Sequence, residues 1–536
     1  MQQNTKRHIG LTARLKARLR EGLRDERGAT AVFFAIGLLL LAPATLGLVD
    51  VYLTSTQRSQ LQDALDAATL YAARSDANTD AAIQIIGEGA LKANLNLPDD
   101  QMSTLVSTFT LDENKIRVIA EAKIKPPSIA PKFLTLNGDS LTADSEVVRN
   151  SNNVEVAIVL DTTGSMQNSM ADLRSAATDL VKLVVKDSQQ PYYSKAALVP
   201  YSVGVNVGTY ADAVRGAVRG PTNITGATKA SQVVVTSNGH GLSNGERVKI
   251  AGVKGMTSIN GTFIADQVAT NTFKLKNLDG SVLSTSSSSS YTSGGTATCV
   301  AHGCASQNFT NLSGNNVELP SSKCVTERTG TQAYTDAAPS VAKVGWHYNN
   351  TTASDGACNS AAIIPLTATK KTLTDQIATL KDDGSTAGHI GLAWGWYMIS
   401  PEWNTVWTGA SAPASYTQPQ TIKVVVLMTD GAFNTAYCKG VNAKDSGFGQ
   451  NSDRINCNAD NGQAFAQAKS LCANMKAKKV QVYTVGFNIG SDKTIKDFLN
   501  TCATDAAHVY LPSSGTALKD AFRAIGQDIN SLRIAK

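Results

Sequence analysis

One strand-length apolar run that stops abruptly in a cluster of side-chain oxygens restricts this chain more than any other feature. Val154-Glu155-Val156-Ala157-Ile158-Val159-Leu160 leads into Asp161-Thr162-Thr163-Gly164-Ser165-Met166. Beyond it, Met170, Leu173, Ala176, Ala177, Leu180, Val181 and Val184 recur at helical spacing. A buried strand feeding a helix, with polar residues at the junction, is the unit from which open α/β sheets are built, and such sheets bind ligands at the carboxyl ends of their strands. Asp161, Thr163 and Ser165 offer one carboxylate and two hydroxyls, an all-oxygen set suited to a hard cation such as Mg2+ or Ca2+. Serine and threonine are also ordinary helix N-caps, so this cluster alone leaves capping and metal binding both open.

Two later stretches bear on that choice. Thr421-Ile422-Lys423-Val424-Val425-Val426-Leu427-Met428 is a second apolar run, ending in Thr429-Asp430-Gly431. Between the two, Gly384-Ser385-Thr386-Ala387-Gly388 opens a helical run from His389 to Met398. With these three segments in this order, the chain resembles the von Willebrand factor A (vWA) family, whose metal-ion-dependent adhesion site (MIDAS) joins three loops. Carried over by position, Asp161, Thr163 and Ser165 match the first loop, Thr386 the second and Asp430 the third. Thr163 stands where many members have serine, which keeps the hydroxyl. The resemblance implies a divalent cation, Mg2+ or Ca2+, on these five residues, with an acidic residue of a protein partner as its last ligand.

The rest of the pattern fits the same fold class. Ala196 to Val205 reads as the next strand, and Gln481 to Phe487 as another. Ala464, Ala468, Leu471 and Met475 mark one helix, and Leu518, Ala521, Phe522, Ile525, Ile529 and Leu532 a final one. Strands alternating with helices imply a doubly wound α/β parallel sheet covered on both faces.

The domain is interrupted. From Ser231 to Tyr291 short β signals alternate with turns such as Asn238-Gly239, Asn260-Gly261 and Asp279-Gly280. His240-Gly241-Leu242-Ser243-Asn244-Gly245-Glu246-Arg247-Val248, followed by Gly255-Met256 and Asn260-Gly261, resembles the small FCCH-type β-barrel modules inserted in other proteins. Ser284 to Ser290 reads as a low-complexity tether, too poor in bulk to pack.

Before the α/β pattern, residues 1–28 are polar and basic, and Gly28 to Val49 carries no charge. About 20 apolar residues span a bilayer core as a helix. Basic residues on its amino side place the N-terminus in the cytoplasm and the bulk of the chain outside. Ala42-Pro43-Ala44 keeps a cleaved signal peptide as the rival reading, against which the apolar pattern continues into a second helical face of Leu61, Ala64, Leu65, Ala68, Tyr71 and Ala72. Arg27-Gly28-Ala29-Thr30-Ala31-Val32-Phe33-Phe34-Ala35 with Gln60 to Ala68 resembles the start of TadE/TadG-type Flp pilus assembly proteins. Phe33 stands where processed prepilins carry glutamate. Val106 to Leu111, and Ile116 to Ile124 in alternation, then read as strands of a small α+β module.

The division expected is a basic cytoplasmic tail (1–28), a transmembrane helix (29–51), a TadE/TadG-like stalk and α+β module (52–150), the vWA domain in two parts (151–220 and 371–536), the β-barrel (221–298) and a cysteine-containing loop region (299–370). Eight cysteines, all on the outer side, argue for disulfides in an oxidising compartment. Cys299 with Cys304, Cys324 with Cys358, Cys438 with Cys457 and Cys472 with Cys502 are the expected pairs, although sequence leaves the connectivity open. Zinc is the rival, but there is no C-x-x-C pair and the six histidines show no ligand spacing.

A net charge of +6, much of it in the first 27 residues, gives no nucleic-acid signal. No nucleophile elbow, HExxH or phosphate loop appears, so no enzyme is expected; His389 reads as a helix-start residue. Two functions remain. One is a single-pass inner-membrane protein of pilus assembly or adhesion that binds an acidic partner (a pilus or secretion component, or a host surface) through its metal. The other is an envelope scaffold in which the metal only stabilises the fold.

Overall fold

The computed structural model describes residues 26–75, 77, 79–112, 115–125, 140–149, 152–187, 189–190, 192–349 and 357–533. The basic tail up to residue 25 and the proline-rich break at 126–131 lie outside the described residues. The chain forms two compact units, residues 1–150 with 534–536, and residues 151–533.

In the first unit, helix α1 (Glu26–Ala73) runs without interruption through Pro43. Its stretch Thr30–Ala73 is long and apolar enough to cross a membrane, with a mean hydropathy of 2.4 and none of that apolar window buried. Burial begins further along: Leu61, Leu65, Ala68 and Ala72 are at most 1% exposed. They pack with α2 (Asp80–Asn94) and an antiparallel sheet of β1 (Val106–Leu111), β2 (Arg117–Ile124) and β3 (Leu141–Val148). The alternation in β2 puts Val118, Ala120, Ala122 and Ile124 inside. Arg149, buried just past β3, donates to the carbonyls of Ala73 and Ser75 at the end of α1, and to that of Ala77. A guanidinium there satisfies carbonyls that a helix end leaves without partners.

The second unit is built on β4 (Asn153–Asp161), β5 (Ser194–Tyr201), β6 (Ile364–Thr367), β7 (Thr421–Thr429), β8 (Gln481–Gly486) and β9 (Val509–Tyr510). Their order is β9-β8-β7-β4-β5-β6; all contacts are parallel except that of β6, which runs antiparallel on β5. Period-two alternation divides each strand between two cores. Val154, Val156, Ile158 and Leu160 of β4 pack with α3 (Met170–Val184), α4 (Lys370–Ala378) and α8 (Gly515–Arg533). Ala157 and Val159 pack on the other face with α5 (Gly388–Ile399), α6 (Ala464–Ala477) and α7 (Lys493–Cys502). Covered on both faces, these strands read in sequence as continuous apolar runs.

Every residue of α5 is buried. Its glycines make that possible: a Cβ at Gly391 would strike the Tyr201 ring, and one at Gly395 would strike Val159.

Between β5 and β6 the chain leaves the sheet. Strands at Thr222–Ala227, Val234–Ser237, Arg247–Ala251, Gly261–Asp266, Thr272–Lys276 and Thr296–Val300 close on one another as a six-stranded barrel, because the last pairs with both the first and the third. Phe263, Phe273, Leu275, Val248 and Ile250 are among the side chains that fill it. The serine-rich stretch expected to be a loose tether is part of this body. Thr285 is fully buried and donates to the Thr228 carbonyl, while Ser288 shares a hydrogen bond with Ser258. Hydroxyls supply by hydrogen bonding what the run lacks in bulk.

The region expected to be a cysteine-containing loop is also ordered differently. Ser306–Thr310, Asn316–Thr326 and Gly345–Tyr348 form a β-arm, and Val325 of the arm pairs with Val205 beyond β5. Phe309, Leu319, Trp346 and Tyr348 give it a core shared with the segment from Ala436 to Ala459.

Candidate metal centre

The carboxyl ends of β4 and β7 are neighbours in register; β4 ends in Asp161, and Asp430 directly follows β7. Thr163 Oγ1 donates to Asp161 Oδ1 at 2.6 Å, and Thr163 N donates to the same oxygen at 3.0 Å. Thr163 Oγ1 and Ser165 Oγ are 2.9 Å apart, and Ser165 Oγ donates to Asp430 Oδ1 at 2.7 Å. Asp161, Thr163, Ser165 and Asp430 therefore form one continuous chain of oxygens from the first loop to the third. Thr163 is the N-cap residue of the turn that starts at Gly164, but its side chain makes no capping hydrogen bond. Its hydroxyl is turned to the acid instead.

Thr386 is held beside this chain through its backbone. Gly164 N donates to Gly384 O at 3.0 Å, and Asp383 N donates to Thr162 O at 2.9 Å, tying the first and second loops together. Thr386 N donates to Asn434 Oδ1, and Asn434 N to Thr386 O, which ties the second to the third. The Thr386 hydroxyl is not hydrogen-bonded to any of the other four residues.

Two further residues hold Asp161. Tyr201 OH donates to Asp161 Oδ2 at 3.0 Å and Thr429 Oγ1 donates to it at 2.8 Å. Sequence reasoning passed over both. Thr429 adjoins Asp430, and a hydroxyl before a strand-end acid is a signal that was there to find. Tyr201 lies opposite Asp161 only through the β4–β5 register, which no local pattern announces.

The electrostatics are those of an acid pair short of positive charge. Asp161 is fully buried, and burial raises its pKa despite three hydroxyl donors and one N–H. Burial, and then the nearby Asp161 charge, push Asp430 up to about 7. Among the described residues neither carboxylate has a Lys, Arg or His partner, and no group of three or more His, Cys, Asp or Glu side chains is placed to hold a metal. Two acids and three hydroxyls fit a hard cation, which would supply the missing charge and accept oxygens alone.

His389 is 1% exposed and lies 3.8 Å from Glu327. The four disulfides are Cys299–Cys304, Cys324–Cys358, Cys438–Cys457 and Cys472–Cys502. Cys438–Cys457 closes the segment that follows the third loop.

Family models match two segments. Residues 28–75 match the Flp pilus-assembly TadE/G-like family, and residues 230–301 match the ubiquitin-activating enzyme E1 FCCH domain. The first match lies on α1, and the second holds five of the six barrel strands. A comparison with curated proteins gives no match. Among solved structures, the chain is similar to the vWF domain of the type V pili tip protein Mfa5 from Porphyromonas gingivalis, at 11% identity and a TM-score of 0.32, covering 72% of this chain and 97% of that one. It is similar to the pilus adhesin SpaC from Lactobacillus rhamnosus GG at 9% identity and a TM-score of 0.31, covering 80% of this chain and 33% of that one, so it spans about a third of that adhesin's length. The pilus adhesin RrgA from Streptococcus pneumoniae gives 10% identity and a TM-score of 0.31, over 79% of this chain and 49% of that one. The chain thus carries an apolar N-terminal helix in the segment similar to the TadE/G-like family, and a closed six-stranded barrel over the segment similar to the FCCH domain.

Proposed function

We propose that this chain is a single-pass inner-membrane protein of Flp pilus assembly or adhesion, whose second unit is a vWA domain that binds a protein partner through a divalent cation. The observation that carries the site is the oxygen chain from Asp161 through Thr163 and Ser165 to Asp430, with one acid fully buried, the other half-buried, and no basic partner among the described residues. The pilus context rests on the TadE/G-like match over α1. In this reading α1 is a retained anchor, the N-terminus is cytoplasmic and the second unit is extracytoplasmic, where the disulfides persist.

Ser165, Thr163 and Thr386 would bind Mg2+ or Ca2+ through hydroxyls, with Asp161 and Asp430 acting directly or through water. A cation held there would offer an open position to a carboxylate of the partner. Tyr201 and Thr429 fix the rotamer of Asp161 so that its other oxygen stays turned to Thr163. In this reading the protein is a binder rather than an enzyme, with the hydroxyls of Thr163, Tyr201 and Thr429 holding Asp161 and that of Ser165 holding Asp430.

The test uses the full chain in detergent micelles, titrated with Mg2+ and Ca2+ beside Asp161→Ala. Saturable binding that raises thermal stability, and is lost in the variant, supports the site. If pilus assembly or surface attachment then fails in cells that hold normal amounts of folded Asp161→Ala, the cation serves recognition. Normal function with the folded variant, or loss of the folded protein itself, favours instead the envelope scaffold in which the metal only stabilises the fold.

A further inference from the structure

The hydroxyl of Thr386 takes no part in the oxygen chain of the other four residues, so its place depends on what holds its backbone. The third loop does so from both sides of the residue. Thr386 N donates to Asn434 Oδ1 at 2.9 Å, and Asn434 N donates to Thr386 O at 3.0 Å. Thr435 Oγ1 donates to the same Asn434 Oδ1 at 2.9 Å and shares a 2.7 Å hydrogen bond with Ser385 Oγ. Two donors thus converge on one amide oxygen and fix which way the Asn434 side chain faces. Asn434 is itself held by the segment closed by Cys438–Cys457. Ser446 Oγ donates to Asn434 O at 3.0 Å, and a Cβ on Gly447 would stand 3.3 Å from that carbonyl oxygen. The two loops also interlock by shape, since any Cβ on Gly388 would strike the ring of Phe433.

A side chain that orients a ligand without touching the ion commonly sets metal affinity by about 10- to 100-fold. Asn434 would act in this way through the backbone of Thr386. Without its amide the Thr386 N–H, in a residue only 5% exposed, loses its acceptor, and the second loop must shift to find another. Mg2+ and Ca2+ answer differently to such a shift. Mg2+ demands short bonds in near-ideal octahedral geometry, whereas Ca2+ accepts a larger and looser set of oxygens. We propose that Asn434 is a positioning residue for Thr386, holding it where a small cation needs it and so favouring Mg2+ over Ca2+. The proposal rests on the reading of Asp161, Thr163, Ser165, Thr386 and Asp430 as a divalent-cation site.

Calorimetric titration of the full chain in detergent micelles, with Mg2+ and with Ca2+, tests this. Asn434→Ala should weaken Mg2+ at least about ten-fold and Ca2+ by less, so that the ratio of the two affinities shifts several-fold. A merely structural role would lower the urea midpoint in chelator without moving that ratio. Asn434→Asp keeps an acceptor for Thr386 N and should bring the Mg2+ affinity back to within a few-fold of the parent, or above it. In a Thr386→Ala background, Asn434→Ala should cost less than about a further two-fold in Mg2+ affinity, because its route runs through Thr386. Should Asn434→Ala fail to fold, Ser446→Ala, which releases Asn434 O, should still weaken Mg2+ several-fold and shift the ratio the same way. Parental Mg2+ affinity or an unchanged ratio in the folded variants, or additive losses in the double variant, overturns the proposal. If the parent binds and Asp161→Ala does not, such results leave the metal site standing; a parent that binds neither cation ends both.

Discussion

Ser165 Oγ and Asp430 Oδ1 meet at 2.7 Å although 265 positions separate them in the chain. This hydrogen bond joins the first loop to the third by side chains. Through Thr163 it also joins two carboxylates that burial and mutual repulsion hold apart in charge. A hydroxyl here can serve as a donor to Asp430 or turn its lone pairs to a cation, and alanine can do neither. Ser165→Ala should therefore weaken Mg2+ binding by at least about ten-fold, or ~1.4 kcal/mol. The same change should cost about 0.5–1.5 kcal/mol or less in the metal-free protein, the worth of one partly exposed hydrogen bond. Metal titration and urea unfolding in chelator separate the two effects, and equal Mg2+ affinity in parent and variant would remove Ser165 from the site.

Gly391 gives a second handle on Asp161 from a distance. A Cβ there would stand 2.5 Å from the Tyr201 ring, whose hydroxyl donates to Asp161. Tyr201 is fully buried, with its hydroxyl engaged by Asp161 and the Met428 carbonyl. Gly391→Ala should cost about 1–3 kcal/mol by overpacking. It should also reduce Mg2+ affinity, since the tyrosine that holds the acid must shift. A variant with parental urea midpoint and parental affinity would show that α5 yields freely.

These two residues also show where the chain is legible. The strands β4, β7 and β8 announce themselves because sheets covered on both faces read as unbroken apolar runs, and Asp161, Thr163, Ser165 and Asp430 sit at their ends. Tyr201 and Gly391 stay silent because their roles arise from register and helix packing between remote segments. The β-arm was hidden for a different reason. Asn316–Thr326 carries Pro320 and mostly polar residues, and its apolar positions find their partners in Trp346 and the stapled segment rather than in a local alternation. The serine run gives no sign of packing because its hydroxyls, not side-chain bulk, hold it to the barrel.

The disulfides should differ in worth by the length of chain each closes. Cys472 and Cys502, both fully buried on α6 and α7, are 30 residues apart, whereas Cys299 and Cys304 are 5 apart. Loop entropy predicts about 3–4 kcal/mol for the first and about 2 kcal/mol for the second. Replacing each pair by alanines and comparing urea midpoints checks the order. A larger loss from the short bridge would mean that local packing around it outweighs loop entropy.

Acid should weaken the second unit through His347. This imidazole is 2% exposed, shares a 2.7 Å hydrogen bond with Ser322 Oγ, and is pushed down to about 3 by burial and then by the Arg215 charge. The unfolded chain takes up a proton near the ordinary histidine value of ~6.5, while the folded one does not until near 3. The contribution is thus intact above the unfolded pKa and is lost as pH falls through that window. One proton sets the slope at about 1.4 kcal/mol per pH unit. His347→Gln keeps a polar group for Ser322 and removes the proton uptake, so the variant should lose less stability than the parent between pH 6 and 4 (~1.4 kcal/mol per unit less). Parallel pH profiles for the two proteins would acquit His347.

The barrel should be removable. Its strands close on themselves around their own core, so the sheet of β4 to β9 owes it no hydrogen-bond edge. The chain enters and leaves it at adjacent points: Arg219 N donates to Gly303 O at 2.8 Å, and Arg219 bridges to Cys304. Excising residues 220–302, with Cys304→Ala to avoid a lone thiol, therefore joins neighbours rather than distant ends, and the retained Arg219 loses only its partly exposed ion-pair partner Glu246. Loop closure of this kind is entropically mild. The shortened protein should unfold cooperatively and keep the full Mg2+-induced shift in thermal stability, because Asp161, Thr163, Ser165, Thr386 and Asp430 and the backbone bonds among their loops are untouched. If the variant folds but has lost the shift, the barrel takes part in shaping the metal loops. If it keeps the shift but fails in attachment or assembly, the barrel carries a recognition surface of its own, and the metal centre is one of two points at which this protein meets its partners.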